Sequence, residues 1–146
     1  MFRELKVEDQ IVDYFLKILE AAKFFEMRSK ENKTIKGFQS LNVNMFFPPL
    51  FLKHMLPDEY VDIKHIHLIE YYKGGYQKEH THKDTGERLS FILYLNDSDG
   101  STVFELSNES IEISPKKGKL VVFSADILHK ALPSNKCKKV AVGAIY

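Results

Sequence analysis

The stretch "DIKHIHLIEYYKGGYQKEHTHKD", Asp62–Asp84, divides the chain into two textures. Its first half, "DIKHIHLIEYY", is rich in β-branched and aromatic residues and stops just before a glycine pair, which reads as a strand. Downstream, "RLSFILYLN", "STVFEL", "SIEISP", "KLVVFSA" and "KKVAVGAIY" share that character, each short and bounded by Gly, Asp, Asn, Ser or Pro. Upstream the period changes. Ile11, Val12, Phe15, Ile18, Leu19, Ala22 and Phe25 recur at helical spacing, which predicts an amphipathic helix from about Val7 to Met27. "RSKENKTIKG" breaks that pattern with a polar turn region. "FQSLNVNMFF" then reads as a strand, and "PPLFLKHMLPDEY" as a short helix opened by proline and closed before Pro57. Helices first and strands afterwards predict an α+β chain that is mainly β, its strands closed into a sandwich or barrel.

A chain of 146 residues closes one core and calls for no second domain. Residues 1–146 are therefore expected to form one unit, with 1–60 a helical support region and 61–146 the barrel core. The formal charge of +1, with acidic and basic residues intermixed, gives no support for a nucleic-acid partner. Cys137 is the only cysteine, so no internal disulfide can form, which fits a reducing compartment. The start "MFRELKVEDQ" lacks the apolar run of a signal peptide, and no stretch approaches the ~20 apolar residues of a membrane helix. A cytoplasmic location without membrane contact is the expectation.

The end of the opening stretch, "KEHTHKD", sets His80, His82 and Asp84 at every second position. In an extended chain alternate side chains share a face, so these three project together. An open mononuclear iron site needs two imidazoles and one carboxylate on one face. An H-x-D pair supplies two of them, and His129 in "FSADILHKALP", just past another apolar strand, can supply the third. His54, His65 and His67 lie in predicted elements and read as surface or packing groups.

Taken together these segments resemble the Fe(II)/2-oxoglutarate-dependent dioxygenases, in their prolyl-4-hydroxylase-like branch. The resemblance rests on "YYKGGYQKEHTHKD", "RLSFILYLND", "DGSTVF" and "PKKGKLVVFSADILHKALP" in that order, followed by a basic residue. It runs from Tyr71 to the C-terminus, about half of the chain. It implies a double-stranded β-helix, a jelly-roll barrel with N-terminal helices packed on it and the metal at its mouth. It also implies Fe(II), 2-oxoglutarate as cosubstrate, and O2. The implied reaction hydroxylates an unactivated C–H bond of a peptide residue or small molecule and releases succinate and CO2. His129 is implied as the distal metal ligand. Lys139, ten residues further on, is implied as the cation that pairs with the far carboxylate of 2-oxoglutarate, or Lys138 if the register slips by one. Strand alternation lets only one of the two face the interior. Tyr94 is implied as a hydrogen-bond partner of the same carboxylate, and Tyr72 or Tyr71 as a wall of the cosubstrate pocket.

Two registers of "KEHTHKD" remain open. His82 with Asp84 and His129 restores the two-imidazole, one-carboxylate donor set, and the chemistry of iron favours it. His80 with His82 and His129 keeps the commoner spacing from the glycine pair, at the cost of the carboxylate. In the favoured register His80 faces the substrate or supports a ligand. The resemblance also has departures: "DGSTVF" carries Asp99 where the family has a second glycine. The short chain leaves little length for a substrate lid, so an open site, or a homodimer that completes it, would follow. Two rivals stand beside this reading: a cupin-like metal enzyme that does not use 2-oxoglutarate, and a barrel that serves as a non-catalytic binding module.

Overall fold

A computed structural model describes residues 1–30 and 33–146. The expected long helix is α1 (Asp9–Phe24), and its buried face is Val12, Phe15, Leu19 and Ala22. Asp9 in its first turn and Lys23 in its last both suit the helix dipole. Glu26, in the left-handed region at φ 55°, ends it. The Met27 amide then donates to the Ala22 carbonyl at 2.8 Å and the Glu26 amide to that of Lys23 at 3.2 Å, so the last carbonyls are satisfied. The short helix α2 (Pro49–Met55) starts on proline, which needs no amide partner there, and buries Leu52 and Met55.

The strands are β1 (Phe2–Lys6), β2 (Ile35–Gln39), β3 (Ile63–His80), β4 (Leu89–Tyr94), β5 (Thr102–Glu105), β6 (Ser110–Ile113), β7 (Lys119–Ser124), β8 (Leu128–Ala131) and β9 (Lys138–Ile145). All pair antiparallel, in the order β1-β7-β4-β9-β3-β8-β5-β6 with β2 added beside β3. The sheet curls on itself because β3 serves two ladders. Its first half pairs with β9, from Ile63 opposite Ile145 to Tyr71 opposite Lys138. Its last residues pair with β8, and His80 lies opposite His129. The outcome is the double-stranded β-helix.

Side-chain alternation sorts the strands into two cores. Phe91 and Leu93 of β4, Leu120 and Val122 of β7, and Ala141 of β9 pack outward with Leu68 against α1 and α2. Ile92, Tyr94, Val121, Phe123 and Val140 point inward with Ile69, Tyr71 and Phe104, between the two faces of the curled sheet. Phe15 of α1 stacks on Phe47 at 4.4 Å, which seals the helical layer to the barrel. Phe47 is buried in that layer, whereas Phe46 and Leu50 of the same apolar cluster are exposed.

The N-terminal 60 residues are less helical than expected. β1 pairs with β7 at the edge of the sheet, and β2 pairs with β3, so both extend the barrel wall. Of "FQSLNVNMFF" only Phe38 and Gln39 are in a strand, β2, which already starts at Ile35 inside the expected turn region, and Asn44–Phe46 forms a 3-10 turn instead; Glu31 and Asn32 of that turn region lie outside the described residues. No described helix is long and apolar enough to cross a membrane.

Candidate metal centre and cosubstrate pocket

The pairing of β3 with β8 places His80 and His129 directly across from each other, with ring centroids 4.3 Å apart. β3 ends at His80, but the His82 amide still donates to the Ala125 carbonyl at 2.8 Å, so its ring stays beside the other two. The ring of His82 lies 5.1 Å from that of His80 and 5.0 Å from that of His129. One nitrogen from each of the three falls within 4.8 Å of the others, a spacing that can hold a metal ion.

The other ring nitrogens are accounted for. His80 Nδ1 lies 2.7 Å from the Lys78 carbonyl and His129 Nδ1 lies 3.0 Å from the Ile127 carbonyl. A carbonyl can only accept, so both Nδ1 atoms carry the hydrogen and both Nε2 atoms keep the lone pair. His82 Nδ1 lies 3.0 Å from Ser90 Oγ and 3.3 Å from Glu87 Oε2. Burial, with the neighbouring histidines, holds His129 down to about 3, and burial likewise lowers His80. Neutral imidazole is the form that coordinates a metal.

Asp84, the carboxylate of the favoured register, is not in this group. The chain turns at 83–86 once β3 has ended, and Asp84 is exposed on that turn. The strand alternation that would have carried it to the same face stops at His80. The buried carboxylate nearby is Glu87, whose side chain is 5% exposed. Burial raises its pKa, but bonds from His82, Ser90 and Thr85 outweigh that and hold it below the usual carboxylate range. Neither Glu87 nor Ser90 was an expected site residue. The signal available was a carboxylate directly after Gly86, where the chain re-enters the sheet.

The two lysines of β9 are placed opposite to expectation. Lys138 shares the inward face with Val140, and Lys139 shares the outward face with Ala141. Lys139 Nζ lies 3.9 Å from both Glu70 and Glu20, on the side facing α1. Lys138 is buried. Its ammonium donates to the Gly100 carbonyl at 2.6 Å and sits 4.4 Å from the centre of the Tyr71 ring. Burial lowers it to about 8. Gly100 itself requires glycine: at φ 80° an added Cβ would lie 2.7 Å from Ser134 Cβ. The departure at Asp99 also has a structural role. Its carboxylate accepts the amides of Asn135 at 2.9 Å and Lys136 at 3.1 Å, which ties down the loop that leads into Lys138.

A cavity of about 280 Å³ connects these groups, with the three histidines, Tyr71, Thr102 and Lys138 among its lining. Tyr72 faces outward, 41% exposed, so Tyr71 is the tyrosine of that pair in the pocket wall. Tyr94 is buried beneath, and its hydroxyl donates to Thr102 Oγ1 at 2.7 Å. Thr102, not Tyr94, is among the residues that line the cavity. His67 also lines it, with Nδ1 2.9 Å from the Ser40 carbonyl, whereas His54 is exposed on α2.

Three imidazoles that converge on the cavity of a jelly-roll barrel, with a cation buried in the same cavity, form a group that can hold a metal ion beside an acidic ligand. Residues 66–146 match the family described as the 2OG-Fe(II) oxygenase superfamily, more than half of the chain, and the chain belongs to that superfamily. The enzyme is a 2-oxoglutarate-dependent oxygenase, with iron(II) and 2-oxoglutarate as its cofactors. That membership decides against the cupin-like and non-catalytic readings. The fold is similar to that of a Pseudomonas putida prolyl-4-hydroxylase, with a TM-score of 0.73 at 14% identity over 99% of this chain and 91% of that one. It is similar too to a Trichoplax adhaerens prolyl hydroxylase solved with a hypoxia inducible factor peptide fragment, with a TM-score of 0.77 at 12% identity over 99% and 83%. A third is HygX from Streptomyces hygroscopicus, solved with nickel, 2-oxoglutarate and hygromycin B, with a TM-score of 0.73 at 11% identity over 98% and 81%. No curated protein matches the chain.

The residues present fit both groups. Imidazole nitrogen suits iron, and the Nε2 lone pairs of His80 and His129 are free of other partners among the described residues. A buried ammonium whose one hydrogen bond among the described residues is to Gly100 has donors left for a carboxylate.

Proposed function

We propose that His80, His82 and His129 hold the iron, that Lys138 binds the far carboxylate of 2-oxoglutarate, and that the enzyme hydroxylates a C–H bond. The observation that carries this reading is the convergence of three imidazoles whose Nδ1 atoms each lie beside an acceptor. Iron(II) with 2-oxoglutarate and O2 supplies the oxidising chemistry, with succinate and CO2 as the products of the cosubstrate. The protein's own residues bind and orient. Lys138, fixed by Gly100 and Tyr71, offers a charged donor to a carboxylate in a site that excludes most water, where such a bond is strong. Thr102, held by the Tyr94 hydroxyl, adds a neutral polar partner beside it. Tyr71 closes the wall with its ring.

The substrate is a peptide residue or a small molecule. The cavity of about 280 Å³ is at the small end for a ligand site, typically about 300–1,000 Å³. With metal and cosubstrate inside, little of it remains, so the substrate reaches in with one group rather than being engulfed. The reading is tested by succinate formation from 2-oxoglutarate in the presence of iron. Loss of that activity in both His129→Ala and Lys138→Met is expected; full activity in either variant would refute the corresponding assignment.

A further inference from the structure

Three imidazoles bring no charge to a divalent cation, and their outer partners are not alike. His80 and His129 each answer to a backbone carbonyl. A carbonyl fixes the ring's rotation and tautomer but carries no net charge. Among the described residues, only His82 of the three meets a carboxylate, Glu87 Oε2 at 3.3 Å. That carboxylate is buried and held from three sides. Thr85 Oγ1 donates to Oε1 at 2.6 Å, and Ser90 Oγ donates to Oε2 at 2.6 Å. Because Ser90 gives its proton to Glu87, its oxygen is free to accept from His82 Nδ1 at 3.0 Å. The hydrogen on His82 Nδ1 is thus shared between Ser90 and Glu87. Burying a carboxylate is costly unless its lone pairs are used, and here they are.

We propose that Glu87 is a positioning residue for the metal: through His82 it fixes the Nε2 lone pair toward the ion and lends negative charge to a site whose ligands are all neutral. This rests on the reading that the three histidines hold the metal. A carboxylate accepting from the far nitrogen of a ligand imidazole raises the basicity of the nitrogen that coordinates, and loss of such a partner typically costs about 10- to 100-fold in metal affinity. The second carboxylate in reach by sequence, Asp84, makes no such contact on its exposed turn.

The experiment measures Co(II) affinity and the visible absorption of the Co(II) protein in the wild type, Glu87→Gln, Glu87→Ala and Ser90→Ala, with the melting temperature of each metal-free protein alongside. Glu87→Gln keeps the shape and an accepting oxygen but removes the charge. The expected result is weaker binding by about tenfold in Glu87→Gln and up to about 100-fold in Glu87→Ala, with shifted absorption bands in both. Metal-free Glu87→Gln should melt somewhat below the wild type, because Thr85 and Ser90 lose a charged acceptor, so the shifted absorption bands are what separate positioning from a general loss of stability. Wild-type affinity and bands in Glu87→Gln would overturn the proposal, and so would weaker binding with unchanged bands and an equally lowered metal-free melting temperature. If Glu87→Ala does not fold, Glu87→Gln alone decides. A wild-type protein that fails to bind Co(II) sinks the ligand assignment and this proposal with it, whereas normal wild-type binding with indifferent Glu87 variants overturns this proposal only.

Discussion

His80 and His129 are direct partners across the β3–β8 ladder, their ring centroids 4.3 Å apart. Two of the three converging imidazoles are therefore set by backbone pairing before any ion arrives, and the third follows two residues on. A site formed in the folded chain and absent in the unfolded one couples metal binding to stability.

Saturating Co(II) or Fe(II) should therefore raise the melting temperature. At a free metal concentration near 100 times Kd the gain is about 2.7 kcal/mol. His129→Ala should melt at the same temperature with and without metal. A metal-dependent shift of wild-type size in that variant would place the ion elsewhere.

Lys138 and Lys139 should differ sharply as targets. Lys138→Met removes the buried charge from the cosubstrate pocket, so 2-oxoglutarate binding should fall by a factor of ten or more, as for a lost charge-assisted bond of roughly 1.5–3 kcal/mol. The same variant should gain stability without ligand, on the order of 2 kcal/mol at neutral pH, because an ammonium held at about 8 is charged against its burial. Lys139→Ala should leave 2-oxoglutarate binding near normal, since its ammonium faces Glu20 and Glu70 on the α1 side. Calorimetric titration of both variants with 2-oxoglutarate separates the two roles.

The position of Lys138 also fixes a pH dependence. The folded protein holds this lysine at about 8, below the usual lysine range, so the unfolded chain binds more protons between the two. The stability cost of the buried ammonium is fully present below about 8 and is relieved as pH rises toward the unfolded value. Cosubstrate binding runs the other way. It needs the ammonium, so apparent affinity for 2-oxoglutarate should weaken above about 8, approaching tenfold per pH unit. The phenols of Tyr71 and Tyr94 are pushed up by burial and stay neutral throughout this window. A flat affinity from pH 7 to 9.5 would show that another group carries the carboxylate.

Gly143 provides a test of the barrel itself. It pairs with Phe91 across β9 and β4, and an added Cβ would lie 2.0 Å from Phe91 Cε2 in the outward core. Gly143→Ala should lower stability by about 1–3 kcal/mol, as overpacking does. Urea denaturation reads the loss; an unchanged midpoint would mean that the layer between the sheet and α1 is loosely packed.

The legibility of the sequence followed the phase of its patterns. The helix α1 shows one buried face and was readable, whereas β4 is buried at every position because the sheet lies between helices and the opposite strands. A strand apolar on both faces carries no visible phase. That is why neither Lys138 against Lys139 nor Tyr71 against Tyr72 could be resolved from alternation alone. Val140 and Val142 face the same way as Lys138, but nothing in "KKVAVGAIY" tells which face is the cavity. Asp84 was misleading for a different reason: the alternation of "HTHKD" assumes a strand that continues, and β3 stops at His80. β1 was missed because an edge strand with exposed polar residues lacks an apolar period. His129, by contrast, was found from its place after an apolar strand, and the ladder with β3 brings it to His80.

The most direct test of the account is an anaerobic titration of metal-free protein with Fe(II) and then 2-oxoglutarate, following the visible charge-transfer band of the chelated complex. The band should form only when both are present, persist in Asp84→Ala, and be lost in His80→Ala. A band that survives His80→Ala and disappears in Asp84→Ala would contradict this expectation and return the ligand set to His82, Asp84 and His129.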